Sequence, residues 1–444
     1  VKKLANVVRL ADFTLPVNKK RIIQTVFLLF CVRIAISFSV SDGTVRSDSL
    51  NYLGLTYHLM ESGTFTAAIP VDESAIRNGV TVREFFEYFD RHPTPYRRLM
   101  NFQWLHALLF IPFLAVFPSV YIIILINNLL FLGAGFFLFE IIRSRVPETI
   151  LAGGWAVYLL FPPFFYLTNQ FYSEPLFVFF LAIVVHGLVR KRTNTPLFIV
   201  ALILLPVTRG FGLLIIGGIA LSAFISKEYR IAATVLVCGV AAVALNALAG
   251  ANNRDPHAIT IPSPPPVLHS VYFTNTTNGN GDNDYFLVFP EKQQEERFFS
   301  AYLNGDYSSS DLVTEVIAQN IRRPDLFITT LTNRIGAYFL NVIPDSWNYE
   351  PKPDQSLLKK ILWTIQNGGL LAMLLIGLRK CDPLFRRYFT LLFWISCAAH
   401  LIALSRYRYF QPVLIAGIPA VTYGLNALRG GIMQAFKKEN ALPK

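Results

Sequence analysis

Lys19-Lys20-Arg21-Ile22-Ile23-Gln24-Thr25-Val26-Phe27-Leu28-Leu29-Phe30-Cys31-Val32-Arg33-Ile34-Ala35-Ile36-Ser37-Phe38-Ser39-Val40 is the stretch whose reading decides the fold. A basic cluster stands before an apolar run that, at 1.5 Å per helical residue, approaches the ~30 Å hydrocarbon core of a bilayer. The run is too long for the h-region of a signal peptide, and Ser39-Val40-Ser41 is a poor cleavage site. It therefore reads as a retained transmembrane helix with its basic end in the cytoplasm.

The remainder repeats that pattern. The 444 residues are 53% hydrophobic and only 15% charged, with a mean hydropathy of +0.44, whereas soluble domains are about a quarter charged. Helices must do the spanning, because open backbone groups find no water in the bilayer core and the apolar runs are too long for barrel strands. Lys and Arg number 40 against 28 Asp and Glu. The excess sits in short clusters beside apolar runs, which is the positive-inside signature and argues against a nucleic-acid partner. Cys31, Cys238, Cys381 and Cys397 all fall in or beside hydrophobic stretches, so no disulfide framework is implied.

Charge then orients about ten spans, at roughly 22–40, 119–142, 149–167, 173–189, 196–208, 211–226, 231–249, 357–378, 387–404 and 410–428. In this map every basic cluster that ends a span falls on one side. The apolar segment Phe102 to Phe117 is interrupted by Pro112 and Pro118, and counting it as a span would invert the later loops. It reads as an interfacial or re-entrant helix on the external face. The expected organisation is a cytoplasmic N-terminus (1–21), a transmembrane module (22–249) holding a first external loop (41–118), an external insert (250–355), and C-terminal transmembrane helices with a cytoplasmic tail (356–444). Within the first loop Leu50, Leu53, Tyr57 and Met60 recur at helical spacing, and Asp42-Gly43 reads as a turn. Residues 252–290 are rich in Pro, Asn and Gly and read as loop, with helices expected at 291–304 and 310–341. His58 and His106 read as residues on amphipathic helix faces.

Polar residues gather on the external side of this map. They are Asp48 and Tyr52 in the first loop, His92, Tyr96, Arg97 and Arg98 at its end, Glu174 at the start of the fourth span, Arg209 between two short spans, and Arg406 and Arg408 before the last. Arginine is a permanently charged, fork-shaped donor suited to phosphate oxygens. At ~4 Å and an effective dielectric of ~20, one such pair is worth about 4 kcal/mol before desolvation. Several would hold a lipid phosphate and stabilise it as a leaving group, while a carboxylate deprotonates an incoming hydroxyl. Residue by residue, Asp48 also fits a helix start and Glu174-Pro175 fits a first helical turn. Arg209 between apolar half-spans and the external Arg406 and Arg408 are harder to read as structural.

The ordered set Asp48-Ser49-Leu50-Asn51-Tyr52, Gly63-Thr64-Phe65, Ser173-Glu174-Pro175-Leu176, Thr208-Arg209-Gly210 and Arg406-Tyr407-Arg408-Tyr409-Phe410-Gln411-Pro412 resembles the landmarks of the GT-C superfamily of polytopic glycosyltransferases. The nearest branch in that resemblance holds the protein O-mannosyltransferases and the bacterial lipid A aminoarabinose transferases. The likeness implies an all-α polytopic membrane fold: a GT-C-like bundle of about ten transmembrane helices with external interfacial helices and a small external insert. It also implies transfer of a sugar, with inversion, from a polyprenyl-phosphate donor to a glycan, lipid or protein acceptor. Asp48 would be the base, Glu174 a supporting acid, and Arg209 and Arg406 phosphate contacts. The location implied is the bacterial inner membrane, with the site on its external face and membrane lipids around it. The first loop lacks the paired acids of the metal-dependent oligosaccharyltransferases, so no metal or other cofactor is expected. A transporter or flippase of a lipid-linked sugar, or a polysaccharide polymerase or ligase, is the alternative. A transporter would place its polar residues at mid-membrane and show inverted repeats.

Overall fold

The computed structural model describes residues 19–45, 48–63, 79–91, 96–97, 104–251, 258–259, 357–402 and 407–439, with isolated positions between 314 and 339. Among these residues the chain is helical apart from two short strands, β1 (Tyr96–Arg97) and β2 (Ala258–Ile259), which pair in parallel. Helix α1 (Lys19–Val40) leads into α2 (Asp48–Glu61), α3 (Val82–Arg91) and α4 (Trp104–Leu114). Then follow α5 (Val120–Ile142), α6 (Glu148–Leu160), α7 (Pro162–Thr168), α8 (Glu174–Val189), α9 (Pro196–Thr208), α10 (Phe211–Ile225) and α11 (Tyr229–Ala251). The C-terminal group is α12 (Leu357–Leu378), α13 (Pro383–Ile402), α14 (Tyr407–Ala416) and α15 (Ile418–Glu439).

Helices α1, α5, α11 and α12 are long and apolar enough to cross a membrane, and α6 with α7 makes a fifth candidate if a 53° bend is counted within one span. Helices α8, α9 and α10 are apolar but shorter. The described parts of the apolar runs in the ten-span map are thus helical, and among the described residues length and composition single out four crossings, or five with the bent pair. Helix α4 has 11 residues, too few for a bilayer that takes about 20, and it packs on α2, α5 and α9. The expected helices of the insert lie outside the described residues, apart from isolated positions.

The bend after α6 has a local cause. Pro162 follows Phe161, whose backbone is extended at φ −65° and ψ 117°, as the residue before a proline is driven to be. Ending a helix inside a bundle leaves carbonyls without partners. Arg33, fully buried on α1, supplies them. Its Nη1 donates to Leu159 O at 2.6 Å, its Nη2 to Phe164 O at 3.0 Å and to Thr168 Oγ1 at 2.7 Å, and its Nε to Asn128 Oδ1 at 2.5 Å. The guanidinium carbon also lies 4.4 Å from the ring centres of both Phe131 and Phe165. Arg33→Met removes these donors and leaves buried acceptors, at ~1–3 kcal/mol each. The variant is expected to lose about 3 kcal/mol of stability, seen as an earlier thermal unfolding transition in detergent.

The basic clusters meet at one end of the bundle. Arg145 pairs with Asp382 at 2.6 Å, joining the α5–α6 turn to the α12–α13 turn. Arg387 at the start of α13 reaches Ser222 Oγ at 2.9 Å in the last turn of α10 and Glu228 at 3.5 Å in the α10–α11 turn. Arg190, capping α8, donates to Glu140 O, and Arg429 on α15 reaches Thr149 Oγ1 at 3.0 Å. The clusters that charge alone assigns to one side are therefore tied together, which fixes where the opposite end lies.

Candidate active site

At that opposite end, α2 is pinned to the segment between α7 and α8. Ser49 Oγ accepts from Phe171 N at 3.1 Å and lies 3.5 Å from Gln170 Oε1. Tyr52 Oη shares a 3.1 Å hydrogen bond with Ser173 Oγ, and Thr56 Oγ1 donates back to Tyr52 O at 2.8 Å. From α5, Asn127 Nδ2 donates to Gln170 O at 2.8 Å. Ser49, Tyr52, Leu53 and Thr56 are all buried. They form the i, i+3, i+4, i+7 stripe of a docked helix face, and their hydroxyls are spent on the neighbouring backbone and on Ser173. Asp48 opens this helix beside Ser49.

Directly after that segment, Glu174 begins α8 with Pro175 behind it. Arg209 caps α9 in an extended conformation, φ −153° and ψ 132°, and α10 restarts at Phe211. The hairpin is tight at Gly212, where a methyl group would stand 2.7 Å from the Pro206 backbone. The two side chains meet, with Arg209 Nη1 2.5 Å from Glu174 Oε1. Glu174 is only 2% exposed and Arg209 15%, so the pair sits at a nearly closed point of the bundle. The sequence places both on the external side, and the fold brings them into contact across α8 and α9. A guanidinium presents its N–H donors in one plane, so the Glu174 carboxylate at one edge orients that plane. Tyr52, through Ser173, connects this pair to the helix that Asp48 opens.

Helix α4 packs beside these residues, on α2, α5 and α9. His106 is fully buried, with ring centres 5.3 Å from Tyr52 and 4.8 Å from both Phe110 and Phe171. Trp104 Nε1 donates to Asn246 Oδ1 at 3.1 Å, tying α4 to α11. Both His58 and His106 are thus core residues rather than residues on a half-exposed face. Burial pushes the His106 imidazole down to about 3 against the pull of Asn127. With its folded pKa below the ordinary value of 6.5, the unfolded chain takes up the proton first as pH falls. Stability is therefore whole above about pH 6.5 and drops by up to about 1.4 kcal/mol per unit below it. His106→Leu should flatten that part of the unfolding profile between about pH 7 and about pH 4. A profile as steep as the wild type would place the titration elsewhere.

Of the sequence candidates, Tyr52, Glu174 and Arg209 converge with the helix begun by Asp48. The side chains of Asp48, Tyr96, Arg97 and Arg408, and all of His92, Arg98 and Arg406, lie outside the described residues. Sequence reasoning gave no role to Ser49 and Ser173, though both stand in its landmarks, and passed over Asn127 and Gln170; none carries a charge to mark it. It also passed over Arg33, whose lone charge inside an apolar run was a readable signal.

No protein-family model matches this chain, and no curated protein is found similar to it. Among solved structures it is similar to the apo crystal structure of an oligosaccharyltransferase from Archaeoglobus fulgidus. The TM-score is 0.48 and the identity 11%, over 96% of this chain and 53% of that one. The chain spans about half the length of that enzyme, and a likeness at this level carries no argument about what the site does.

Proposed function

We propose that this chain is an integral-membrane glycosyltransferase of GT-C type, moving a sugar from a polyprenyl-phosphate donor to a glycan, lipid or protein acceptor at the end of the bundle opposite its basic turns. The observation that carries the reading is the Arg209–Glu174 contact at the break between α9 and α10, joined through Ser173 and Tyr52 to the helix that starts at Asp48. Asp48 takes the proton from the acceptor hydroxyl as it attacks the sugar carbon. The bond from that carbon to the phosphate oxygen breaks, and the departing phosphate is met by Arg209, which Glu174 orients. A fixed cation aimed at a leaving phosphate is the electrostatic arrangement such a step requires. Arg406 and Arg408 are assigned to the same phosphate, and His92, Tyr96, Arg97 and Arg98 to the substrate side of the first loop. These assignments rest on the sequence.

A transport reading would look to a cation at mid-membrane. Arg33 is buried within α1, and its four hydrogen bonds go to the backbone and side chains that shape the α6–α7 bend. The test is the product: nuclear magnetic resonance of glycoside formed from a polyprenyl-phosphate sugar should show inverted anomeric configuration. Lipid-linked sugar moved across a vesicle wall with its phosphate bond intact would replace this reading with transport.

A further inference from the structure

At the basic end of the bundle, α8 and α10 finish in the same way. Each closes with the paired bonds of a Schellman turn. Lys191 N donates to Leu188 O at 3.3 Å and Arg192 N to Gly187 O at 2.8 Å. In the second turn Lys227 N donates to Phe224 O at 2.9 Å and Glu228 N to Ala223 O at 2.8 Å. The left-handed position of such a turn ordinarily holds glycine, because a Cβ there crowds the following carbonyl. Here it holds lysine both times, at φ 55° and 61°, and these two are the non-glycine residues at positive φ among the described residues. A cation can serve the helix dipole without that strain, from backbone at negative φ, and Arg190 at φ −86° already stands in such a place on α8. Capping alone therefore does not account for a lysine at the strained position.

The two turns flank the start of α13. That helix packs on both α8 and α10, and Leu188, Ile219 and Tyr388 line one crevice between the three. Glu228, beside Lys227, is engaged by Tyr388 Oη at 3.0 Å and by Arg387 at 3.5 Å. Around this junction Lys191, Arg192, Lys227, Arg230 and Arg386 are exposed. Exposed apolar side chains adjoin them: Phe224, Ile225 and Tyr229 at the α10–α11 turn, and Leu197 at the start of α9. The Phe224 and Tyr229 rings meet edge to face at 5.6 Å, and aromatic rings of this kind anchor a helix at the headgroup level. A water-soluble acidic partner would use the charges and leave the apolar rim wet. An anionic lipid meets both, with its headgroup on the cations and its acyl chains on the rim. We infer that the Lys191 and Lys227 turns form a binding site for anionic phospholipid headgroups in the leaflet at the basic end of the bundle. The inference rests on the chain spanning a membrane, not on the glycosyltransferase reading.

The test is a lipid titration of the full chain in neutral detergent, read by native mass spectrometry, with phosphatidylglycerol, phosphatidylcholine and inorganic phosphate as probes. Phosphatidylglycerol should bind more tightly than phosphatidylcholine, and inorganic phosphate should not displace it. Lys191→Gly and Lys227→Gly should each weaken phosphatidylglycerol binding about fivefold, the effect of removing one cation near an anionic lipid surface. Lys227→Arg, which keeps the charge, should bind as the wild type does. In neutral detergent without added lipid, both glycine variants should unfold at or above the wild-type temperature, because glycine relieves the left-handed strain. A merely structural pair of lysines would give the opposite pattern, with stability lost and lipid binding kept. Equal affinity for the two lipids, displacement by inorganic phosphate, wild-type affinity in both glycine variants, or a lowered unfolding temperature in neutral detergent overturns the inference. Binding is read without turnover and at the end of the bundle away from Glu174 and Arg209, so that failure is distinct from a failure of the transferase reading.

Discussion

Asp48→Asn is expected to lower transfer by roughly 10²–10⁴-fold, the range a positioned general base contributes. Folding should be retained, for a specific reason. Asp48 opens α2, and asparagine is as acceptable as aspartate at a helix start. Ser49 and Tyr52 dock α2 on the segment before α8. The comparison is of kcat/KM for wild type and variant, with circular dichroism and unfolding temperature as controls. Turnover within a few-fold of wild type in a well-folded variant would leave Asp48 as a helix-start residue and move the search for the base to another group of the first loop.

The second large effect belongs to the Arg209–Glu174 pair. Removing one partner of a nearly buried ion pair strands the other, at ~3–5 kcal/mol. Arg209→Ala should therefore be strongly destabilised, and transfer should fall by roughly 10²–10³-fold, as when a donor to a developing anion is removed. Stability loss alone could cause both results, and the double variant Arg209→Met with Glu174→Leu separates them. An apolar replacement of a buried pair is often neutral or stabilising, so the double variant should recover the unfolding temperature. It should not recover turnover. Recovery of both would make the pair a structural clasp between α8 and α9 and nothing more.

What the sequence conveyed depended on the range of the interaction. The break at Thr208-Arg209-Gly210 was legible because a cation and a glycine between apolar runs cannot continue a buried helix. The helix from Asp48 was legible from the spacing of Leu50, Leu53, Tyr57 and Met60, and Leu50, Leu53 and Tyr57 do pack into the core there. The burial of Ser49, Tyr52 and Thr56 beside them was not legible. Polar residues could be buried there only because Phe171 N, Ser173 and the Tyr52 carbonyl were in place to receive them. No property of α2 by itself announces those partners. The Pro162-Pro163 bend was overlooked within a span drawn as 149–167, although proline pairs are among the plainest local signals. That Glu174 and Arg209 touch depends on how α8 packs against α9, a matter of register that one-dimensional pattern does not hold.

One measurement tests the account most directly: release of free polyprenyl phosphate from a panel of polyprenyl-phosphate sugars by the wild-type protein in lipid, with and without candidate acceptors, beside Asp48→Asn. The account predicts release that depends on an acceptor, yields one glycoside per phosphate, and is lost in the variant. Acceptor-dependent release at equal rates in wild type and variant, or binding of the donor that protects the protein from unfolding without any release, would contradict it.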